Sequence, residues 1–263
     1  MKKIKKYFEY IQTLVYRKKH ESKAKYFEEN IKYMFEHCKD TDKLIVVFSA
    51  CTRAGIPARY NYVRTLKNIN CNKLFILDDL GEDKRGSYYL GRYPEYNFEK
   101  AVEQLLNNII KKYSIKEVVF CGSSKGGYAA LNFGIKYNQS IGKGIIIGAP
   151  QFWLGQYLSA PANETTLNGI KGEYKKEEVV LNLDNHLESK IKKYSDEKKQ
   201  NIYIHFSEND HTYKEHIVDL CSLLENYGYK LLENREKYEN HGDVSLYFPS
   251  FMIKTLNKIW EFY

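Results

Sequence analysis

The stretch Glu117–Tyr137, EVVFCGSSKGGYAALNFGIKY, constrains this chain more than any other. Val118, Val119, Phe120 and Cys121 form an apolar run of the right length for one buried strand and too short for a helix. Gly122-Ser123-Ser124-Lys125-Gly126 follows. Beyond it Tyr128, Leu131 and Ile135 recur at helical spacing, with small Ala129 and Ala130 between them. A strand that turns sharply into a helix around Gly-x-Ser-x-Gly is the setting of a nucleophile elbow. In that setting Ser124 takes a strained backbone with its hydroxyl exposed. Side chains two residues to either side would strike the neighbouring strand and helix, which accounts for Gly122 and Gly126, and Gly127 gives room for close helix–sheet packing. The helix N-terminus adds unpaired N–H groups and a positive dipole end. The alternative for the same residues is a glycine-rich turn without chemistry.

The flanking sequence alternates strands with helices. Leu44–Ala50, Lys73–Asp78, Gly144–Ala149, Asn201–Phe206 and Tyr229–Arg235 read as strands, which with the elbow strand makes about six. Residues 97–113, 212–227 and 247–262 read as helices. This alternation predicts an α/β fold with a mostly parallel sheet and helices on both faces. Residues 151–200 carry no strand pattern and are too long for a plain connection. They read as a cap insertion of short helices, with Trp153, Leu154, Tyr157 and Leu158 lining one wall of the site. At the start of the chain, residues 3–18 read as a basic amphipathic helix, and a second helix puts Phe27, Ile31, Met34 and Phe35 on one face. The expected organisation is therefore an N-terminal helical extension, 1–40, before a domain spanning 41–263. The basic helix packs on the domain or on a second copy of the chain, or lies on an anionic membrane surface as a peripheral contact.

Composition removes some function classes. The formal charge of +8 is spread along the 263 residues, and neither a zinc-ligand array nor an aromatic RNA-binding motif is present, so no nucleic-acid partner is expected. No histidines and carboxylates fall at metal-ligand spacing such as HExxH, and no metal is expected. The five cysteines are irregularly spaced without a CxxC, which reads as reduced thiols in a cytoplasmic protein, at the inner face of the membrane if the basic helix docks there. The lysine-rich start lacks the apolar stretch of a signal peptide, and no stretch has the length of a transmembrane helix.

A serine hydroxyl needs a base to become a nucleophile. His241, in Asn240-His241-Gly242-Asp243, follows the last strand and precedes the last helix, where a catalytic histidine would stand; an ordinary loop residue is the alternative. The acid is expected after the preceding strand, in Ser207-Glu208-Asn209-Asp210-His211. Asp210 is the choice and Glu208 the substitute, and Asp210 also suits the N-cap of the next helix. His205 lies inside a strand and reads as a core or face residue. The backbone N–H of Lys125, with that of Ala50 or Cys51 after the first strand, would form the oxyanion hole. The Lys125 side chain reads as solvated at a helix start. Arg53 is the candidate for gripping a phosphate or carboxylate; Trp153 and Tyr157 are the candidate substrate contacts.

Ser124, Asp210 and His241, in that order and context, resemble the α/β-hydrolase superfamily over about residues 44–263. With two helices in place of the family's first strands, the chain would be a trimmed version. More narrowly, GSSKGGYAAL, the FSACTRAG loop and Gly86-Ser87-Tyr88-Tyr89-Leu90-Gly91 resemble bacterial capsule-biosynthesis proteins of hydrolase fold and glycan O-acetyltransferases of accessory Sec systems. That resemblance implies transfer of an acetyl group from acetyl-CoA, as co-substrate and not as a bound cofactor, to the hydroxyl of a glycan or another acceptor through an acetyl-serine. No separate coenzyme A motif accompanies it. An esterase or deacetylase with the same three residues, and a non-catalytic hydrolase-fold module of a glycan-assembly complex, are the competing readings.

Overall fold

The computed structural model describes residues 15–137, 141–196 and 199–261. Its eight strands are β1 Glu21–Tyr26, β2 Glu29–Glu36, β3 Lys43–Phe48, β4 Asn72–Leu77, β5 Glu117–Ser123, β6 Gly142–Gly148, β7 Ile202–Ser207 and β8 Leu231–Glu236. They form one sheet in the order β1-β2-β4-β3-β5-β6-β7-β8. The six strands expected from sequence make its parallel part. The central strands are apolar throughout because both their faces are covered. Along β3, Leu44, Val46 and Phe48 enter one core while Ile45 and Val47 enter the other. The first core packs under helices α1 Asn97–Lys112, α2 Lys125–Gly134, α5 Lys176–Lys193 and α6 Val218–Asn226. The second packs under α7, Val244–Trp260, and the 60–71 loop. Between β6 and β7 the chain forms α3 Leu154–Leu158, a 3₁₀ turn, α4 Glu164–Lys171 and then α5, which at 18 residues is the longest helix among the described residues and sets Val179, Leu183, Leu187 and Ile191 in the first core.

The N-terminal region corrects the sequence reading. Residues 21–36 are the antiparallel hairpin β1–β2, and β2 pairs antiparallel with β4. The sheet therefore has eight strands instead of six and is not trimmed. Ile31 and Met34, three residues apart, mimic a helical face, yet they lie on opposite sides of the strand, Ile31 in the first core and Met34 in the second. The turn hides the hairpin as well. Phe27 and Glu28 both take positive φ, 50° and 64°, in a two-residue connection where Asn-Gly is the usual signal. A helical extension through residue 40 falls with this correction. Residues 15–20 are helical, as expected, and the rest of the basic helix, 3–14, lies outside the described residues. Among the described residues no helix is long and apolar enough to cross a membrane.

Candidate active site

Because β5, β6, β7 and β8 run parallel, the loops after them open on one edge of the sheet. Ser124 stands there between the last residue of β5 and the first of α2, at φ 51° and ψ −123°. Its N–H donates to the Gly148 carbonyl at 2.7 Å, which ties the turn to the neighbouring strand. A Cβ on Gly122 would meet the Gly126 carbonyl, and one on Gly126 the Phe48 carbonyl of β3, both well under 3.0 Å. The glycines are thus required by backbone contacts on both sides of the serine. Ser123 points elsewhere: it is buried, and its hydroxyl lies 2.5 Å from the Tyr62 hydroxyl.

The structure brings Ser124, His241 and Asp210 together. His241 Nε2 lies 2.9 Å from Ser124 Oγ, and His241 Nδ1 lies 2.9 Å from Asp210 Oδ2. Asp210 is buried and Ser124 7% exposed. Burial alone would raise the Asp210 pKa, but the hydrogen bond and charge of His241 and the Thr212 N–H outweigh it and hold the carboxyl below its ordinary value. The acid and N-cap readings of Asp210 share one side chain: Oδ2 faces His241 and Oδ1 accepts from Thr212 N–H at 3.2 Å. Glu208 turns outward and pairs with Arg235 at 2.6 Å. His205 lies wholly in the core, with Nδ1 2.7 Å from Asn234 Oδ1.

Of the two candidate N–H groups after β3, that of Ala50 is taken by Asn61 Oδ1 at 2.9 Å. Those of Cys51 and Lys125 have no internal acceptor among the described residues. The Lys125 side chain corrects its sequence reading, for it is fully buried. Nζ donates to the Asp78 carbonyl at 3.0 Å, to Asp78 Oδ2 at 3.2 Å and to the Arg85 carbonyl at 2.7 Å. The Asp78 carboxylate also accepts from the N–H groups of Ser87, at 2.8 Å, and Tyr89, at 3.0 Å. This pair ties the elbow to the loop after β4.

A cleft of about 700 Å³ opens over Ser124 and His241, walled by Cys51, Arg53, Arg85, Tyr157 and Leu246 among others. Arg53 and Tyr157, the sequence candidates for substrate contact, both line this cleft. Trp153 is not among the lining residues: its indole N–H donates to Asp219 at 2.8 Å. Leu154 and Leu158 belong to the main core, so Tyr157 alone of the expected apolar wall reaches the cleft. Two residues escaped the sequence reading. Arg85 donates to the Thr52 carbonyl at 2.8 Å and braces the loop that carries Cys51. Gln151, fully buried, sets Nε2 3.3 Å from Ser124 Oγ. Both follow the carboxyl ends of strands, and that position was their available signal.

The arrangement has relatives. The family described as Serine aminopeptidase, S33, matches residues 92–220, just under half the chain; the match takes in Ser124 and Asp210 and stops before His241. No curated protein matches the chain in sequence. A capsule O-acetyltransferase of Neisseria meningitidis serogroup A, a mutant in complex with CoA, is 22% identical, with TM-score 0.71 over 90% of this chain and 94% of that one. A glycosylation-associated protein complex from Streptococcus agalactiae gives 17% identity and TM-score 0.72, over 92% of this chain and 47% of that one. A fluorophosphonate-binding serine hydrolase of Staphylococcus aureus gives 11% and 0.64, over 91% and 97%. The chain has the fold of an α/β hydrolase, which it shares with a capsule O-acetyltransferase and a serine hydrolase.

Proposed function

We propose that this protein transfers an acyl group through an acyl-serine, and that the reaction is O-acetylation of a bacterial capsular or surface glycan from acetyl-CoA. The observation that carries the reading is the continuous relay from Asp210 through His241 to Ser124 Oγ, with both contacts at 2.9 Å. In this reading His241 Nε2 accepts the Ser124 proton as Oγ attacks the acyl carbonyl. Asp210 holds the imidazole in the tautomer with Nδ1 protonated and stabilises the imidazolium. The N–H groups of Lys125 and Cys51 receive the developing oxyanion. The imidazolium then protonates the departing thiolate. The same base takes the proton of the acceptor hydroxyl, which attacks the acyl-serine, and returns it to Ser124 Oγ as the bond between acyl group and serine breaks. Arg53 and Arg85 give the cleft a cationic wall suited to the phosphates of such a donor. The likeness to an acetyltransferase in complex with CoA agrees with that choice. Residues 151–200 form the proposed cap, with Tyr157 as its contribution to the cleft. In the second reading water is the acceptor and the protein is an esterase or deacetylase. The likeness to serine hydrolases supports it.

Incubation with acetyl-CoA, with and without capsular or glycoprotein sugars, followed by intact mass of protein and glycan, separates these readings. A mass increase of one acetyl on the protein, passed to the glycan when present, supports transfer. Acetyl release as acetate at the same rate with or without glycan supports hydrolysis. No acetylation or labelling of Ser124 from any ester would leave the hydrolase-fold module of a glycan-assembly complex as the reading.

A further inference from the structure

One ligating atom from each of Asp210, His211 and His241 lies within 4.8 Å of the other two. His241 Nδ1 is 2.9 Å from Asp210 Oδ2, and His211 Nε2 is 3.8 Å from Asp210 Oδ1. Zinc–ligand bonds of about 2.1 Å place two ligands of one tetrahedral ion about 3.4 Å apart, so a rotation of His211 toward Asp210 and His241 closes the set. That side chain is 54% exposed, which leaves room for the rotation. A second, independent feature points to a metal. His211 Nδ1 lies 2.9 Å from Glu215 Oε2. Donation of its N–H to that carboxylate leaves the Nε2 lone pair turned toward Asp210. A carboxylate behind a histidine, fixing the tautomer that presents a lone pair, is the usual outer shell of a metal-ligating imidazole.

We propose that Asp210, His211 and His241 form a binding site for a divalent cation of the zinc type, and that its occupancy switches the serine off. The inhibitory role rests on the reading of His241 as the base for Ser124. Two imidazole nitrogens and a carboxylate oxygen suit Zn²⁺ or Co²⁺ over Ca²⁺ or Mg²⁺, with a fourth position left to water. Binding to His241 Nδ1 displaces the Nδ1 proton, which passes through solvent to Nε2, and draws the Asp210 carboxylate onto the ion. The one proton left on the ring then sits on Nε2, which faces Ser124 Oγ. In that tautomer Nε2 donates and does not accept, so the hydroxyl loses its base while the cleft stays open. The block acts on the chemical step and is reversed by a chelator.

The test uses the whole protein, stripped with EDTA and titrated with Zn²⁺ or Co²⁺. The readouts are the rate of fluorophosphonate labelling at Ser124 and the visible absorption of bound Co²⁺. Zn²⁺ is expected to slow labelling at least tenfold, and Co²⁺ to give one tetrahedral absorption band per chain. His211→Asn should label in EDTA like the wild type, because His211 touches neither Ser124 nor His241 Nε2. It should need at least about tenfold more Zn²⁺ for the same inhibition, and Glu215→Gln should weaken binding by about 10- to 100-fold. Equal inhibition of the wild type and His211→Asn overturns the proposal. So does the absence of a Co²⁺ band, the result expected if His211 is an imidazolium paired with Asp210 and Glu215. A Co²⁺ band in a protein that never labels at Ser124 keeps the ion site and overturns the serine reading on which its inhibitory role rests.

Discussion

At the scale of single residues, each contact around Ser124 makes a different demand on the protein. Ser124→Ala should fold normally, since the hydroxyl packs no core, and should lose acyl transfer by roughly 10⁴- to 10⁶-fold. Asp210→Asn keeps the shape but offers an N–H where an acceptor is needed, so turnover should drop about 10⁴-fold with little change in binding. Glu208→Gln should be nearly silent, because Glu208 pairs with Arg235 away from His241. An essential Glu208 with a dispensable Asp210 in the same steady-state assay would sink this assignment. Lys125 makes the opposite kind of demand. Its ammonium is buried, and all three of its acceptors lie on Asp78 and Arg85. Lys125→Met strands the Asp78 carboxylate in the core, and breaking a buried pair of this kind costs about 3–5 kcal/mol. Lys125→Met with Asp78→Asn should recover part of that loss, which urea unfolding of the four proteins of the double-mutant cycle would measure. Additive losses would mean that the pair is not coupled.

At the scale of elements, what was legible in the sequence divides along physical lines. The buried parallel strands were readable because apolar runs such as Leu44–Phe48 have few other uses, and the elbow because its glycines answer to backbone collisions. The β1–β2 hairpin was not, because its turn carries Phe27-Glu28 at positive φ and its buried positions copy a helical interval. Lys125 was misread because a lysine at a helix start is usually solvated; its partner Asp78 lies 47 residues earlier in the chain. The segment after Asp210 was read as an ordinary helix. It begins with a π-helical turn, Tyr213–Ile217, and such turns gather at functional sites. His216 lies in it, buried, with neither ring nitrogen partnered among the described residues and its ring 5.8 Å from that of Tyr157. Burial pushes its pKa down from 6.5 to about 4. The unfolded chain therefore takes up this proton at a higher pH than the folded one. The stability from a neutral His216 is full above pH 6.5 and drains away as pH falls toward about 4. Glu99 acts in the same direction at lower pH. Burial would raise its pKa, but His186 and Lys190 outweigh that and hold the carboxyl below its ordinary 4.5. Thermal unfolding followed from pH 8 to 4 should show a midpoint that falls below about pH 6.5. His216→Phe should flatten the upper part of that fall and leave the lower part to Glu99 and Asp210. An unchanged profile in His216→Phe would mean that the imidazole takes up its proton in the folded state as it does in the unfolded one.

At the scale of the whole molecule, charge and site geometry bear on the identity of the donor. The chain carries a formal charge of +8, and Arg53 and Arg85 stand on the wall of the Ser124 cleft. A field of this sign raises the local concentration of an anionic substrate and has no hold on a neutral one. Acetyl-CoA, the proposed donor, brings several phosphate charges, whereas a small neutral acetate ester brings none. Both would be attacked by the same Ser124 hydroxyl, so a comparison of the two isolates binding from chemistry. Raising ionic strength from about 0.01 M to 0.15 M shortens the screening length from about 30 Å to 8 Å. Over that range KM for acetyl-CoA should rise several-fold while kcat holds, and kcat/KM for the neutral ester should stay level. Arg53→Gln should raise KM for acetyl-CoA and reduce its salt dependence without touching the ester. Arg53 is exposed and donates to no neighbour that shapes the elbow, so that variant separates charge from fold. Arg85→Gln should act on both substrates, because Arg85 also braces the Thr52 carbonyl beside Cys51. Steady-state rates for the two substrates at each salt concentration decide the matter. Equal salt dependence for both would remove the arginine wall as a phosphate contact and move the choice toward an uncharged acyl donor.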